Sequence, residues 1–114
     1  MYKENDQTPF FMWKFECGDG WFNLINDLSS KIEKVISSLP DVDKKEVHVT
    51  QVKEKFASLR VYMSFHNQEI EDLIALAEVE SNKTCEKCGT LEGVKVRGKH
   101  YISTMCEVCY VSRQ

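Results

Sequence analysis

Cys85-Glu86-Lys87-Cys88 and Cys106-Glu107-Val108-Cys109 are two Cys-x-x-Cys units separated by 17 residues. Two residues between ligands let both sulfurs of a unit face one ion, and Gly89 tolerates the tight backbone just after the first unit. Four thiolates complete a tetrahedral zinc shell at ~2.3 Å and leave no position for water or substrate. The spacing predicts a structural Zn²⁺ held by Cys85, Cys88, Cys106 and Cys109. Between the units, Val94-Lys95-Val96-Arg97, Gly98-Lys99 and His100-Tyr101-Ile102-Ser103 read as a short hairpin. Knuckle, hairpin and knuckle make a zinc ribbon. Two disulfides would need an oxidising compartment, and the N-terminal residues Met1 to Gln7 carry no export signal. An iron–sulfur cluster also takes four cysteines, but the symmetrical spacing favours zinc. A thioredoxin-like pair needs a single unit in a βαβ context.

Other residues offer less chemistry. Cys17 precedes a predicted helix start, where a thiolate is favoured, but no cysteine-enzyme context surrounds His48, His66 or His100. Gly18-Asp19-Gly20 is a fragment of a phosphate-binding turn, yet Asp19 puts negative charge where phosphate would sit. It reads as a tight turn with Asp19 as helix N-cap. The carboxylates Glu69, Glu71, Asp72, Glu78 and Glu80 read as a solvated helix face. No catalytic residue emerges, and the expectation is a protein that is not an enzyme.

The elements that must carry these residues follow from periodicity. Phe10 to Phe15, after Pro9, has the composition of a strand. Trp21, Leu24, Ile25, Leu28, Ile32, Val35, Ile36 and Leu39 recur at three- and four-residue steps, one helical stripe that Pro40 ends. An Asp41-Val42-Asp43 turn follows. Residues 46–55 and 58–65 form a predicted antiparallel hairpin, in which Leu59, Val61, Met63 and Phe65 alternate with polar neighbours. It turns near Ala57-Ser58 without Asn-Gly chemistry, which leaves its register open. Asn67 caps a second helix whose buried face is Ile70, Leu73, Ile74 and Ala77. The predicted fold class is α+β: a small antiparallel or mixed sheet covered by two helices, with a C-terminal four-cysteine zinc ribbon.

Composition agrees with a folded chain. The sequence has 114 residues, 42% hydrophobic, 29% charged, with a net charge of −3. No apolar run reaches the ~20 residues that cross a bilayer, so a cytoplasmic protein without a membrane partner is expected. Residues 1–80 carry 9 basic and 15 acidic side chains, whereas residues 81–114 carry 6 and 3. The shift divides the chain into an acidic α+β body, 1–81, and a zinc-ribbon module, 82–114. Metal substitutes for a core in the module, since few apolar side chains are available to it. A nucleic-acid role for the ribbon would rest on Lys95, Arg97 and Lys99. Zinc and four thiolates together add about −2, however, and the acidic body repels phosphate.

Cys17-Gly18-Asp19-Gly20-Trp21, Gln51-Val52-Lys53-Glu54-Lys55-Phe56, Leu59-Arg60-Val61-Tyr62 and Tyr101-Ile102-x-Thr104 before Cys106 form a combined pattern over residues 10–110. In this pattern the chain resembles a family of small bacteriophage- and prophage-encoded zinc-ribbon proteins. Ala57-Ser58 departs from it, where glycines are commoner. The resemblance implies a phage-type origin and a zinc-ribbon tail, and no particular activity. The acidic, catalytically bare body with its charged and aromatic surface leads instead to docking as the expected function: a zinc-binding accessory protein on a host or phage macromolecule, inhibiting a host defence or replication component in the host cytoplasm. A protein partner comes first, a nucleic acid held by the ribbon second, and exposed strand edges make a homodimer plausible. A small-molecule or enzymatic site near Cys17, Asp19 and Trp21 is the third reading.

Overall fold

The computed structural model describes residues 15–39 and 47–113. Most of the aromatic strand at 10–15, the Pro40 stop and the Asp41-Val42-Asp43 turn lie outside these residues. A two-residue strand, β1 (Phe15–Glu16), leads into a 3-10 turn at Asp19–Trp21 and helix α1 (Phe22–Ser37). A hairpin follows, β2 (Val49–Lys55) and β3 (Ser58–Met63), then helix α2 (Gln68–Ser81). The sheet order is β1-β2-β3, with β1 parallel to β2 and β3 antiparallel to it. The architecture is α+β, as periodicity predicts.

Each element has a local cause. Along α1 the buried residues Ile25, Leu28, Ile32 and Ile36 follow the predicted stripe, joined at its start by the fully buried Trp21. Asp19 does not cap the helix: it lies inside the 3-10 turn, and no side-chain cap bond forms there. Asn67 does cap α2, its side chain accepting from the Ile70 N–H at 2.8 Å. The helices pack on each other, and α2 packs on β3, closing a core of Trp21, Val49, Val52, Leu59, Val61 and Ile70.

The hairpin differs from its predicted form in two ways. A bulge between Val49 and Gln51 shifts the alternation, so Val49 and Val52 both reach the core although they are three residues apart. The turn lies one residue earlier than predicted, at Phe56-Ala57, with Lys55 opposite Ser58. Both turn residues take positive φ, 51° and 69°, the geometry a two-residue hairpin requires. Ala57 is fully buried while Phe56 is 72% exposed.

The C-terminal part has its own two-stranded sheet, β4 (Lys95–Arg97) and β5 (Ser103–Met105), paired antiparallel as the hairpin reading requires, but its second strand begins at Ser103 rather than at His100, and residues 98–102 form the connection. A short helix, α3 (Glu107–Arg113), follows; no sequence signal marked it, because it grows directly out of the second knuckle.

Candidate metal centre

Three segments deliver the four thiols. Cys85 and Cys88 bracket a turn after α2, Cys106 follows β5, and Cys109 lies in the first turn of α3. The two knuckles make the same local bonds. The Cys88 N–H donates to Cys85 Sγ at 3.5 Å, and the Cys109 N–H donates to Cys106 Sγ at 3.4 Å. One residue further on, the Gly89 N–H reaches Cys85 O at 2.9 Å and the Tyr110 N–H reaches Cys106 O at 3.1 Å. After that they diverge. Gly89 turns the first knuckle away at φ +83°, whereas the second continues as α3.

This brings all four Sγ atoms within 4.8 Å of one another. Cys88 Sγ and Cys106 Sγ are 3.8 Å apart. Bonds of ~2.3 Å to one central ion make a tetrahedron with edges of ~3.8 Å, which the Cys88–Cys106 separation matches and the grouping of all four sulfurs allows. All five cysteines of the chain are free thiols. Cys85 and Cys106 are buried, Cys109 half-buried and Cys88 exposed.

The thiols cannot all ionise without a cation. Burial pushes Cys85 up, but the backbone N–H groups of Cys106, Cys88 and Lys87 overcome it and hold the thiol at about 6. Cys109 is pushed up to about 12, first by its hydrogen bond with Cys106, then by burial and the other two sulfurs. One site therefore favours charge while its neighbour resists a second, which is the electrostatic situation a divalent cation resolves. The cluster is positioned to hold a metal ion. His100 is exposed and does not join it.

The centre is built into the body. The Gly20 N–H donates to Glu86 O at 2.7 Å and the Gly18 N–H donates to Glu86 Oε2 at 2.9 Å. Trp21 Nε1–H donates to Thr84 O at 2.9 Å. A Cβ on Gly18 would run into Glu86 O, and one on Gly20 into Cys85 O and the Glu86 backbone. The Gly-x-Gly pair is thus a cradle for the first knuckle, a role that spacing within the turn alone could not reveal. On the other side of the module, the Thr104 hydroxyl donates to Ala57 O at 2.6 Å, and Asn82 Nδ2 donates to the same carbonyl at 3.0 Å.

The remaining candidates fall elsewhere. Burial, then the charges of Glu86, Asp19 and Glu54, push the Cys17 thiol up to about 12, so it is not the activated thiolate that a helix start would make. Trp21 belongs to the core. Asp19 lines a cavity of about 490 Å³ between body and ribbon, together with Glu54, Glu86, Lys87, Tyr101 and Arg113. Lys95 and Lys99 are exposed. Arg97 is turned inward: Nε donates to Met105 O at 2.9 Å and Nη2 to Gly93 O at 2.8 Å, with the guanidinium 5.7 Å from the Tyr110 ring. His48 and His66 are exposed, and His66 lies 3.8 Å from Glu71.

No family model, curated protein or solved structure matches this chain. Among the described residues no helix is long and apolar enough to cross a membrane.

Proposed function

We propose that the chain is a non-enzymatic zinc-binding accessory protein of phage type, acting in the host cytoplasm by docking on a host or phage macromolecule and blocking a defence or replication component. The observation that carries the metal half is the convergence of four Sγ atoms within 4.8 Å, with matching N–H···S bonds in both knuckles. Thiolate-only ligation favours zinc among the metals a cell supplies to such sites. A closed shell has no coordination position for substrate, which makes the ion a clasp rather than a catalyst. The docking half is supported by the exposed apolar side chains Phe56, Tyr62, Leu76, Val79 and Val108. The phage-type assignment rests on the sequence resemblance.

Elemental analysis of purified protein is expected to give one zinc per chain. Replacing Cys88 and Cys109 by serine should abolish retention. Iron, or no metal, would overturn the zinc assignment. Affinity capture from a host lysate across several salt conditions tests the docking half, and repeated failure to retain any macromolecule would sink it.

A further inference from the structure

The outward face of the three-stranded sheet takes no part in the metal centre. Directly opposed residues of an antiparallel pair project to the same face, and alternate pairs to opposite faces. Val52↔Val61 and Glu54↔Leu59 point toward the helices, where Val52, Leu59 and Val61 are buried. Gln51↔Tyr62, Lys53↔Arg60 and Lys55↔Ser58 therefore share the outward face. That face collects three cations around an exposed tyrosine, on a body whose net charge is otherwise strongly acidic.

The hairpin tip extends the same surface. Phe56 is 72% exposed, with Lys55 Nζ 5.7 Å from its ring. Its φ of 51° is a conformation that Asn or Gly adopts at far lower cost. An aromatic ring held in solvent by strained backbone gains nothing for the core, and such strain concentrates at functional positions. Arg60 Nη1 is paired with Glu78 at 3.0 Å, fixing that guanidinium at the strand edge. Lys53 and Lys55 have no ion pair among the described residues.

We propose that this face binds single-stranded nucleic acid, with bases stacked on Tyr62 and Phe56 and phosphates held by Lys53 and Lys55. This rests on the docking reading above and names its partner class. Cations alone would suit an acidic peptide equally; two exposed rings flanking them select bases, because every base offers a face to stack. The site is separate from the ribbon, whose Arg97 is already committed to Met105 O and Gly93 O. The acidic remainder of the body makes the attraction short-ranged, so binding belongs to low and moderate salt.

The test uses the full-length, zinc-loaded protein and fluorescence anisotropy with labelled oligothymidylate and oligouridylate of about 20 nucleotides. With two phosphates neutralised by Lys53 and Lys55, log K is expected to fall against log salt with a slope of about −1.4. Tyr62→Ala should weaken binding roughly ten- to a hundredfold. Phe56→Asn should weaken it similarly while raising Tm, because asparagine relaxes the turn; that opposition separates lost contact from lost fold. Lys95→Ala with Lys99→Ala should leave affinity unchanged. No binding at low salt overturns the proposal, as does Phe56→Asn or Tyr62→Ala binding like the unsubstituted chain. Equal affinity for a duplex, or equally strong competition by polyglutamate, also overturns it by reducing the face to a general polyanion surface. A protein captured from lysate alongside a negative anisotropy result would keep the docking reading and remove this one.

Discussion

The main-chain N–H of Gly20 donates to the carbonyl oxygen of Glu86 at 2.7 Å, across 66 positions of sequence, and places the start of α1 directly against the first knuckle. Contact at that distance is possible only without a side chain, since a Cβ on Gly20 would overlap Cys85 O and the Glu86 backbone. Gly20→Ala should therefore displace the knuckle, cost about 1–3 kcal/mol of stability and loosen the metal. Gly93→Ala provides the comparison: Gly93 has φ +65° and nothing within 4 Å, so strain of roughly 1 kcal/mol is its whole penalty. Thermal melts and competition with a chelator measure both effects. Equal metal retention by the two variants would refute the cradle.

That contact also marks what the sequence could and could not reveal. Helix α1, the capped α2 and the four ligands were legible because each depends on local spacing: a stripe, an Asn67 cap, two Cys-x-x-Cys units. The turn falls at Phe56-Ala57 rather than Ala57-Ser58, a shift the sequence hides because neither residue is the Gly or Asn that normally marks positive φ. The cradle was illegible for a different reason. Gly18 and Gly20 answer to Glu86 and Cys85, and no local pattern records a partner so distant. Arg97 reads as a surface cation in the sequence because its acceptors, Met105 O and Gly93 O, are backbone atoms that any sequence would supply.

Stripping the metal should affect the body as well as the ribbon. Trp21 is fully buried in the main core, and its indole N–H is held by Thr84 O, adjacent to Cys85. Adding a strong chelator is expected to lower Tm and shift the tryptophan emission together. Restoring zinc at a hundredfold excess over Kd should return about 2.7 kcal/mol. A chelated protein with unchanged Tm would mean that the body does not depend on the clasp.

The Cys17 thiol predicts an alkaline limit. Burial and the Glu86, Asp19 and Glu54 charges move its pKa from 9.0 to about 12. Below pH 9 the thiol is protonated whether the chain is folded or unfolded, and it does not affect stability. Above pH 9 the unfolded chain sheds this proton and the folded chain keeps it, so stability falls as pH rises from 9 toward 12. Cys17→Ala should flatten that part of the profile. Alkylation of native protein at pH 8 should leave Cys17 unmodified, and rapid labelling there would refute the shift.

Thr104 decides whether hydrogen bonding or shape holds the ribbon against the hairpin. It is fully buried in β5, donates to Ala57 O at 2.6 Å and accepts from Asn82 Nδ2 at 3.1 Å. Thr104→Val keeps the volume but removes both bonds, leaving the Asn82 amide short of an acceptor; a loss of about 1–3 kcal/mol is expected. Thr104→Ser keeps the hydroxyl and gives up one methyl, which should cost about 1 kcal/mol. Valine should therefore be the more damaging replacement, although it is the closer match in shape. Denaturant melts of the two variants give the order. A serine variant less stable than the valine variant would assign the seam to packing and leave the hydroxyl without a role.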